Sequence, residues 1–136
     1  MSQNVLSQIH ELLASRRYSV VETSDTGLRI QEVDSGLALQ AELQGEILFF
    51  SLVCATVPSD RITPKVMRTM LDVKNDISTS HFQLTDIPGG QTVITLNNFC
   101  KLQDMGPDDE DDILSCVSFI LTDVLRARDL LAADLQ

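Results

Sequence analysis

The sequence predicts an α+β fold, with a mostly antiparallel β-sheet and helices on one face of it. Apolar residues recur every three or four positions in three segments, as in amphipathic helices, and every second position in most segments between them, as in strands. Short turn sequences, such as 24–27 and 88–90, join successive strands, and connections of this length fit antiparallel pairs. The predicted order is α, three or four strands, α, two strands, α, and the length of 136 residues predicts one domain over 1–136.

The first half of the chain predicts one helix and the first sheet segment. A helix over 2–17 places Val5, Ile9 and Leu12 on a single face. Up to four strands follow it, at 18–23, 28–33, 37–43 and 47–57. The last of these is apolar at odd and even positions alike. This pattern predicts a central strand, or one whose second face is covered by another layer or subunit.

The second half predicts two helices that flank a hairpin. Thr63 as cap and Pro64 as first helical residue begin a helix that we expect to end near Asn75. Two strands and a final helix follow, at 80–87, 91–102 and about 109–134. The final helix is predicted from apolar residues that step by four and three positions along it.

The charge balance limits the classes of partner. The chain has 10 Lys and Arg against 20 Asp and Glu, a net charge of -10 and a pI near 4.4. Such a chain repels phosphate backbones and anionic membrane surfaces, so we expect no nucleic-acid and no membrane partner. An acidic surface instead suits solubility, or a protein partner with basic segments. The first residues lack the basic and apolar regions of a signal peptide, so we expect a cytoplasmic protein with reduced thiols.

No catalytic, cofactor or metal motif is evident in the sequence. The three cysteines, Cys54, Cys100 and Cys116, are an odd number at wide spacing, which does not indicate a disulfide framework. The sequence has no CxxC and no clustered Cys and His, so it does not predict a zinc site. A catalytic cysteine would need a base such as His10 or His81 beside it, and no motif joins them. We therefore expect no catalytic residues, no cofactor, no metal and no enzymatic activity, with a thiol-dependent enzyme as a remote alternative.

The acidic run from Asp108 to Asp112 is the most conspicuous local feature. Counted as a calcium loop from Asp108, it has Ile113 where an EF-hand needs Gly and Phe119 where it needs a bidentate Glu, so the match fails. The run is typical of solvated carboxylates at a helix N-terminus. The alternative is a docking site for a basic peptide.

The order of elements from Val5 to Leu131 resembles the type III secretion chaperone-like fold, which includes secretion chaperones and YbjN-like proteins. The segment 111–121 is also similar to the end of small bacterial proteins of the YjfI type. The resemblance implies a non-enzymatic, homodimeric protein-binding module that holds an extended or partly unfolded partner polypeptide. The alternative is a small bacterial adaptor or regulatory protein of the same fold with no secretion role.

In secretion chaperones the middle helix and a neighbouring strand help to form the dimer. The resemblance therefore implies a dimer interface here that comprises Val66, Met67, Met70, Leu71 and Phe50.

Overall fold

A computed structural model describes residues 2–135 of the chain. Its helices are α1 (Ser2–Ala14), α2 (Pro64–Leu71) and α3 (Pro107–Leu135). Its strands are β1 (Tyr18–Glu22), β2 (Gly27–Glu32), β3 (Ala38–Gln44), β4 (Ile47–Pro58), β5 (His81–Ile87) and β6 (Gln91–Lys101). The predicted α+β class and element order are confirmed, and the first sheet segment has four strands.

The six strands form one antiparallel sheet in the order β1-β2-β3-β4-β6-β5. Buried and accessible residues alternate along β3 and along most of β4 and β6, because successive side chains of a strand point to opposite faces. Leu39 and Phe50 lie on the buried face, whereas Phe49 and Phe99 lie on the opposite face, with their ring centroids 6.0 Å apart. The apolar residues at both odd and even positions of β4 therefore form two apolar faces, one of which is buried and the other partly exposed.

The chain divides into two compact units. Unit 1 comprises Met1–Ser51 and Asn98–Ser118, and unit 2 comprises Leu52–Asn97 and Phe119–Gln136, so that β4, β6 and α3 contribute residues to both. The fully buried large side chains of unit 1 include Leu6, Ile9, Leu13, Leu28, Ile30, Leu39, Leu48, Phe50 and Ile113. The buried side chains of unit 2 include Leu52, Val66, Met70, Ile94, Leu96, Ile120, Val124 and Leu131.

The helix ends differ from the sequence-based boundaries for local reasons. α1 ends at Ala14 rather than at residue 17, and Arg17 has a φ of 78°, which a right-handed helix cannot contain. α2 ends at Leu71 because Asp72 is extended, and a 3₁₀ turn over Val73–Asn75 follows, with the Asp72 carboxylate accepting from the Lys74 amide. α3 begins at Pro107, two residues before the predicted start, since proline is favoured in the first turn.

Candidate functional site

The excess negative charge of the chain belongs almost entirely to unit 1. Unit 1 has 13 acidic and 4 basic residues, a net charge of -9, whereas unit 2 has 7 acidic and 6 basic residues, a net charge of -1. If the chain has an acidic binding surface, as its composition suggests, that surface is therefore expected in unit 1. Charges of one sign that surround a concave surface concentrate ligands of the opposite sign there.

Two adjoining depressions in unit 1 form an open groove, with volumes of about 690 and 530 Å³. Both are lined by Gln8, Asp104 and Met105. The larger depression is also lined by Asn4, Val5, Leu43, Gly45, Glu46 and Leu102. The smaller depression is also lined by Glu11, Leu12, Ser15, Arg16 and Glu110. We refer to these two depressions together as the groove.

The segment between β6 and α3 forms one wall of the groove and is held by a buried carboxylate. Asp109 is 3% exposed, and its Oδ2 accepts hydrogen bonds from the amides of Gln103, at 2.5 Å, and Met105, at 2.8 Å. Asp104 and Met105 have φ values of 62° and 54°, a backbone conformation that residues with side chains rarely adopt. The Asp109 carboxylate thus compensates an unfavourable backbone and fixes the shape of this wall.

This arrangement corrects the interpretation of the acidic run. Asp108, Glu110, Asp111 and Asp112 are exposed, as expected for solvated carboxylates at a helix N-terminus. Asp109 is buried, because the chain that leaves β6 turns back toward α3 and needs an acceptor for its amides. The sequence pattern does not distinguish Asp109 from its neighbours. The feature that could have identified Asp109 as a buried acceptor is the turn at 103–106, which ends three residues before it.

The groove combines apolar contacts with an acidic rim. Val5 and Met105 are half-buried, and each offers apolar surface inside the groove. The rim carries four exposed carboxylates, those of Glu11, Glu46, Asp104 and Glu110. Arg16 also lines the groove, and Lys101 lies 3.9 Å from Glu46 in an exposed ion pair that is weak in water. The chemistry favours a segment with both basic and apolar side chains.

The residues implied as a dimer interface differ in exposure. Phe50 lies in unit 1, and it is buried within the single chain, as are Val66 and Met70 of α2. Met67 is 37% exposed and Leu71 is 81% exposed. The homodimer stays a prediction, and of the five residues these last two offer surface to a partner.

Cys54 lies in unit 2 and is buried. Burial raises the pKa of its thiol from 9.0 to about 11, against a lowering effect of the Arg128 charge. The Arg128 side chain donates to the carbonyl oxygens of Cys54 and Val53, both at 3.3 Å. The Cys54 thiol is thus protonated and inert at neutral pH.

Cys100 and Cys116 lie together in unit 1, which the sequence did not predict. The Cys100 thiol donates a hydrogen bond to the Cys116 sulfur, which raises the pKa of Cys100 and lowers that of Cys116. The side-chain contacts of the two histidines are with Glu22, 3.7 Å from His10, and with Gln83, 3.4 Å from His81. Neither of these contacts involves a cysteine.

Two structural observations concern metals and membranes. Within residues 2–135 there is no group of three or more His, Cys, Asp and Glu side chains that could hold a metal ion. Over the same residues, every helix is too short or too polar to cross a membrane.

Comparison with solved structures identifies the fold class of the chain. The chain has the fold of YbjN-type proteins, an α+β sheet with helices in the order described above. The crystal structure of YbjN from E. coli, described as a candidate transcription regulator, matches with a TM-score of 0.70 and 12% sequence identity, and the match covers 96% of this chain and 93% of that chain. No family model and no curated protein matches the sequence. At this identity the likeness concerns the fold, and the secretion-chaperone and YjfI parts of the resemblance stay predictions.

Proposed function

We propose that the protein is a non-enzymatic adaptor or regulatory protein that binds a basic, partly apolar segment of a protein partner in the groove. One observation carries the proposal: four exposed carboxylates line a partly apolar groove in a unit with a net charge of -9. Carboxylates on such a rim attract Lys and Arg and steer the encounter, while the apolar surface of Val5 and Met105 contributes to affinity.

A protein partner fits the charge of the chain better than a nucleic acid does. The description of YbjN as a candidate transcription regulator supports a regulatory class for a protein of this fold. Direct contact with DNA would bring a chain of net charge -10 against phosphates, and this repulsion opposes binding. A regulatory role would therefore be exerted through a protein that has basic segments.

The proposal is tested with a fluorescein-labelled peptide of alternating Lys and Leu residues, by fluorescence anisotropy against the purified protein. The variant Glu11→Gln/Glu110→Gln removes two rim charges, and we expect it to bind about tenfold more weakly. The matched control Asp25→Asn/Asp34→Asn removes two exposed charges of unit 1 that do not line the groove, and we expect a much smaller change. Equal losses in the two double variants would show that the groove is not the site.

The apolar part of the proposal has its own comparison. A peptide with Ser in place of every Leu keeps the positive charge, and we expect it to bind more weakly than the Lys–Leu peptide. Met105→Ser should reduce this difference, because Met105 lines both depressions. If the two peptides bind equally well to the unchanged protein, the site recognises charge alone and the partly apolar partner is excluded.

A second proposal concerns the homodimer that a chaperone role would require. Leu71 is 81% exposed and Val73, in the turn after α2, is 93% exposed, so unit 2 presents apolar side chains that a second copy could cover. Sedimentation equilibrium should give twice the monomer mass for the unchanged protein and the monomer mass for Leu71→Asp. Val33→Asp, at a 64% exposed position in unit 1, is the control and should remain dimeric. A monomeric unchanged protein would refute the dimer without affecting the peptide proposal.

A further inference from the structure

The turn of α3 that carries Cys116 is held against the end of β6 that carries Cys100. The Asn98 side-chain amide donates to the Cys116 carbonyl oxygen at 3.0 Å, and the Cys116 thiol donates to the Phe99 carbonyl oxygen at 3.7 Å. Cys100 is 8% exposed and Cys116 is half-buried, and both thiols are free. The Cys116 thiol therefore lies against the residue that precedes Cys100, and the two thiols influence each other's pKa.

We propose that Cys100 and Cys116 form a redox-active dithiol that a peroxide oxidises to an intramolecular disulfide. The Cys116 thiolate attacks one peroxide oxygen, the O–O bond breaks, and the leaving hydroxide takes a proton and becomes water. Cys116 is then a sulfenic acid. The Cys100 sulfur attacks the Cys116 sulfur, the S–S bond forms, the S–O bond breaks, and the departing hydroxide leaves as water with the Cys100 proton. Two thiols lose two electrons in total, and hydrogen peroxide is reduced to two waters.

The environment of the pair assigns the two roles. Cys116 is the more accessible thiol, and the hydrogen bond from Cys100 lowers its pKa, so it is the attacking thiolate. Cys100 is more buried and its pKa is raised, so it keeps its proton and reacts less readily with peroxide than Cys116 does, which leaves it to attack the Cys116 sulfenic acid afterwards. Asp109 and Asp112 are the titratable neighbours that oppose thiolate formation in this pair, Asp109 at Cys100 and Asp112 at both thiols. Low pKa, access and an adjacent second thiol are the features of oxidation-sensitive cysteines.

The disulfide would close the segment 101–115, which includes one wall of the groove. Leu102, Asp104, Met105 and Glu110 all belong to this segment. Oxidation would therefore restrict the motion of that wall relative to β6 within unit 1. The redox reaction itself does not depend on the proposed function of the groove, and it can be tested without any peptide.

The test uses hydrogen peroxide on the purified, reduced protein, followed by denaturation, alkylation of the remaining thiols and trypsin digestion. The three cysteines fall in three different tryptic peptides, 30–61, 75–101 and 102–126, so the bond can be assigned directly by mass spectrometry. We expect the peptides 75–101 and 102–126 to be joined and the peptide 30–61 to carry the alkylating group. Dithiothreitol should restore all three free thiols.

Variants separate the two roles. Cys116→Ser should react with peroxide much more slowly than the unchanged protein does. Cys100→Ser should form a sulfenic acid on Cys116 that persists and can be trapped with dimedone. Cys54→Ser is the matched control and should form the bond as the unchanged protein does. The proposal is overturned if the unchanged protein keeps three alkylatable thiols, if Cys116 oxidises to a sulfinic acid without a bond to Cys100, or if the disulfide joins two chains.

Discussion

The side chain of Asp109 has a structural role that its sequence context does not indicate. Asp109 belongs to a run of five acids, yet it alone in the run is buried and accepts two backbone hydrogen bonds. A hydrogen bond to an ionised group contributes more than one between neutral groups. The loss of this acceptor would leave the amides of Gln103 and Met105 without their partner, in a segment whose backbone is already unfavourable.

We expect Asp109→Ala to lower the free energy of unfolding by about 3 kcal/mol, from two charge-assisted hydrogen bonds that are lost in a buried setting. Urea unfolding followed by circular dichroism measures the change. Asp108→Ala removes an adjacent, exposed charge of the same helix turn and should leave stability close to that of the unchanged protein. Equal stabilities of the two variants would contradict the role assigned to Asp109.

The Cys54 thiol makes stability depend on alkaline pH. Its pKa is raised from 9.0 to about 11 by burial, so between these values the unfolded chain loses the proton while the folded chain keeps it. The folded state then binds more protons than the unfolded state, and stability falls as pH rises through this range. The burial of Tyr18, near Glu32, raises its pKa and acts in the same direction.

We therefore expect the free energy of unfolding to decrease from pH 9.0 to about 11, with a smaller decrease in Cys54→Ala, which lacks the thiol. Urea unfolding at several pH values in this range measures both slopes. The comparison is of slopes, since Cys54→Ala also changes packing at every pH. If the two proteins lose stability in parallel, the pKa of Cys54 is not raised in the folded state.

At the scale of elements, the strands were predictable from alternation and the helices from their apolar faces. The alternation of Leu39, Ala41 and Leu43 predicted β3, and these side chains are buried on one face. The groove was not predictable in this way, because Glu11 and Glu110 are distant in sequence and come to line the same depression only through tertiary packing. The contact of Cys100 with Cys116 is likewise a contact of a strand with a helix, for which a single sequence carries no spacing signal.

The cap of α2 was predicted from two residues and is observed. The Thr63 Oγ1 accepts a hydrogen bond from the Val66 amide at 3.2 Å, and Pro64 follows it in the first turn. We expect Thr63→Ala to cost about 1 kcal/mol of stability, because the Val66 amide at the start of this eight-residue helix would lose its acceptor. Thr63→Ser keeps the acceptor and should retain most of the stability in the same urea assay. An equal loss in both variants would assign the effect to the threonine methyl group.

At the scale of the whole molecule, charge is the property that most restricts function. Almost all of the net charge of -10 belongs to unit 1, which also contains the groove. Unit 2 therefore contributes little to the electrostatic attraction of a basic partner. Long-range attraction of this kind accelerates encounter with an oppositely charged partner, whereas apolar contacts mainly slow dissociation. For a partner that binds in the groove, the acidic charges should therefore raise the association rate constant, and the apolar contacts should lower the dissociation rate constant.

We expect the affinity of the Lys–Leu peptide to fall about tenfold when the ionic strength rises from about 0.1 to 1 M, because the screening length shortens from about 10 to 3 Å. Most of the loss should appear in the association rate, as measured by stopped-flow fluorescence. Glu11→Gln/Glu110→Gln should show a shallower salt dependence, since two of the interacting charges are absent, while Asp25→Asn/Asp34→Asn should keep most of the original slope. An affinity that is constant or rises with salt would mean that apolar contact dominates and that the acidic rim does not select the partner.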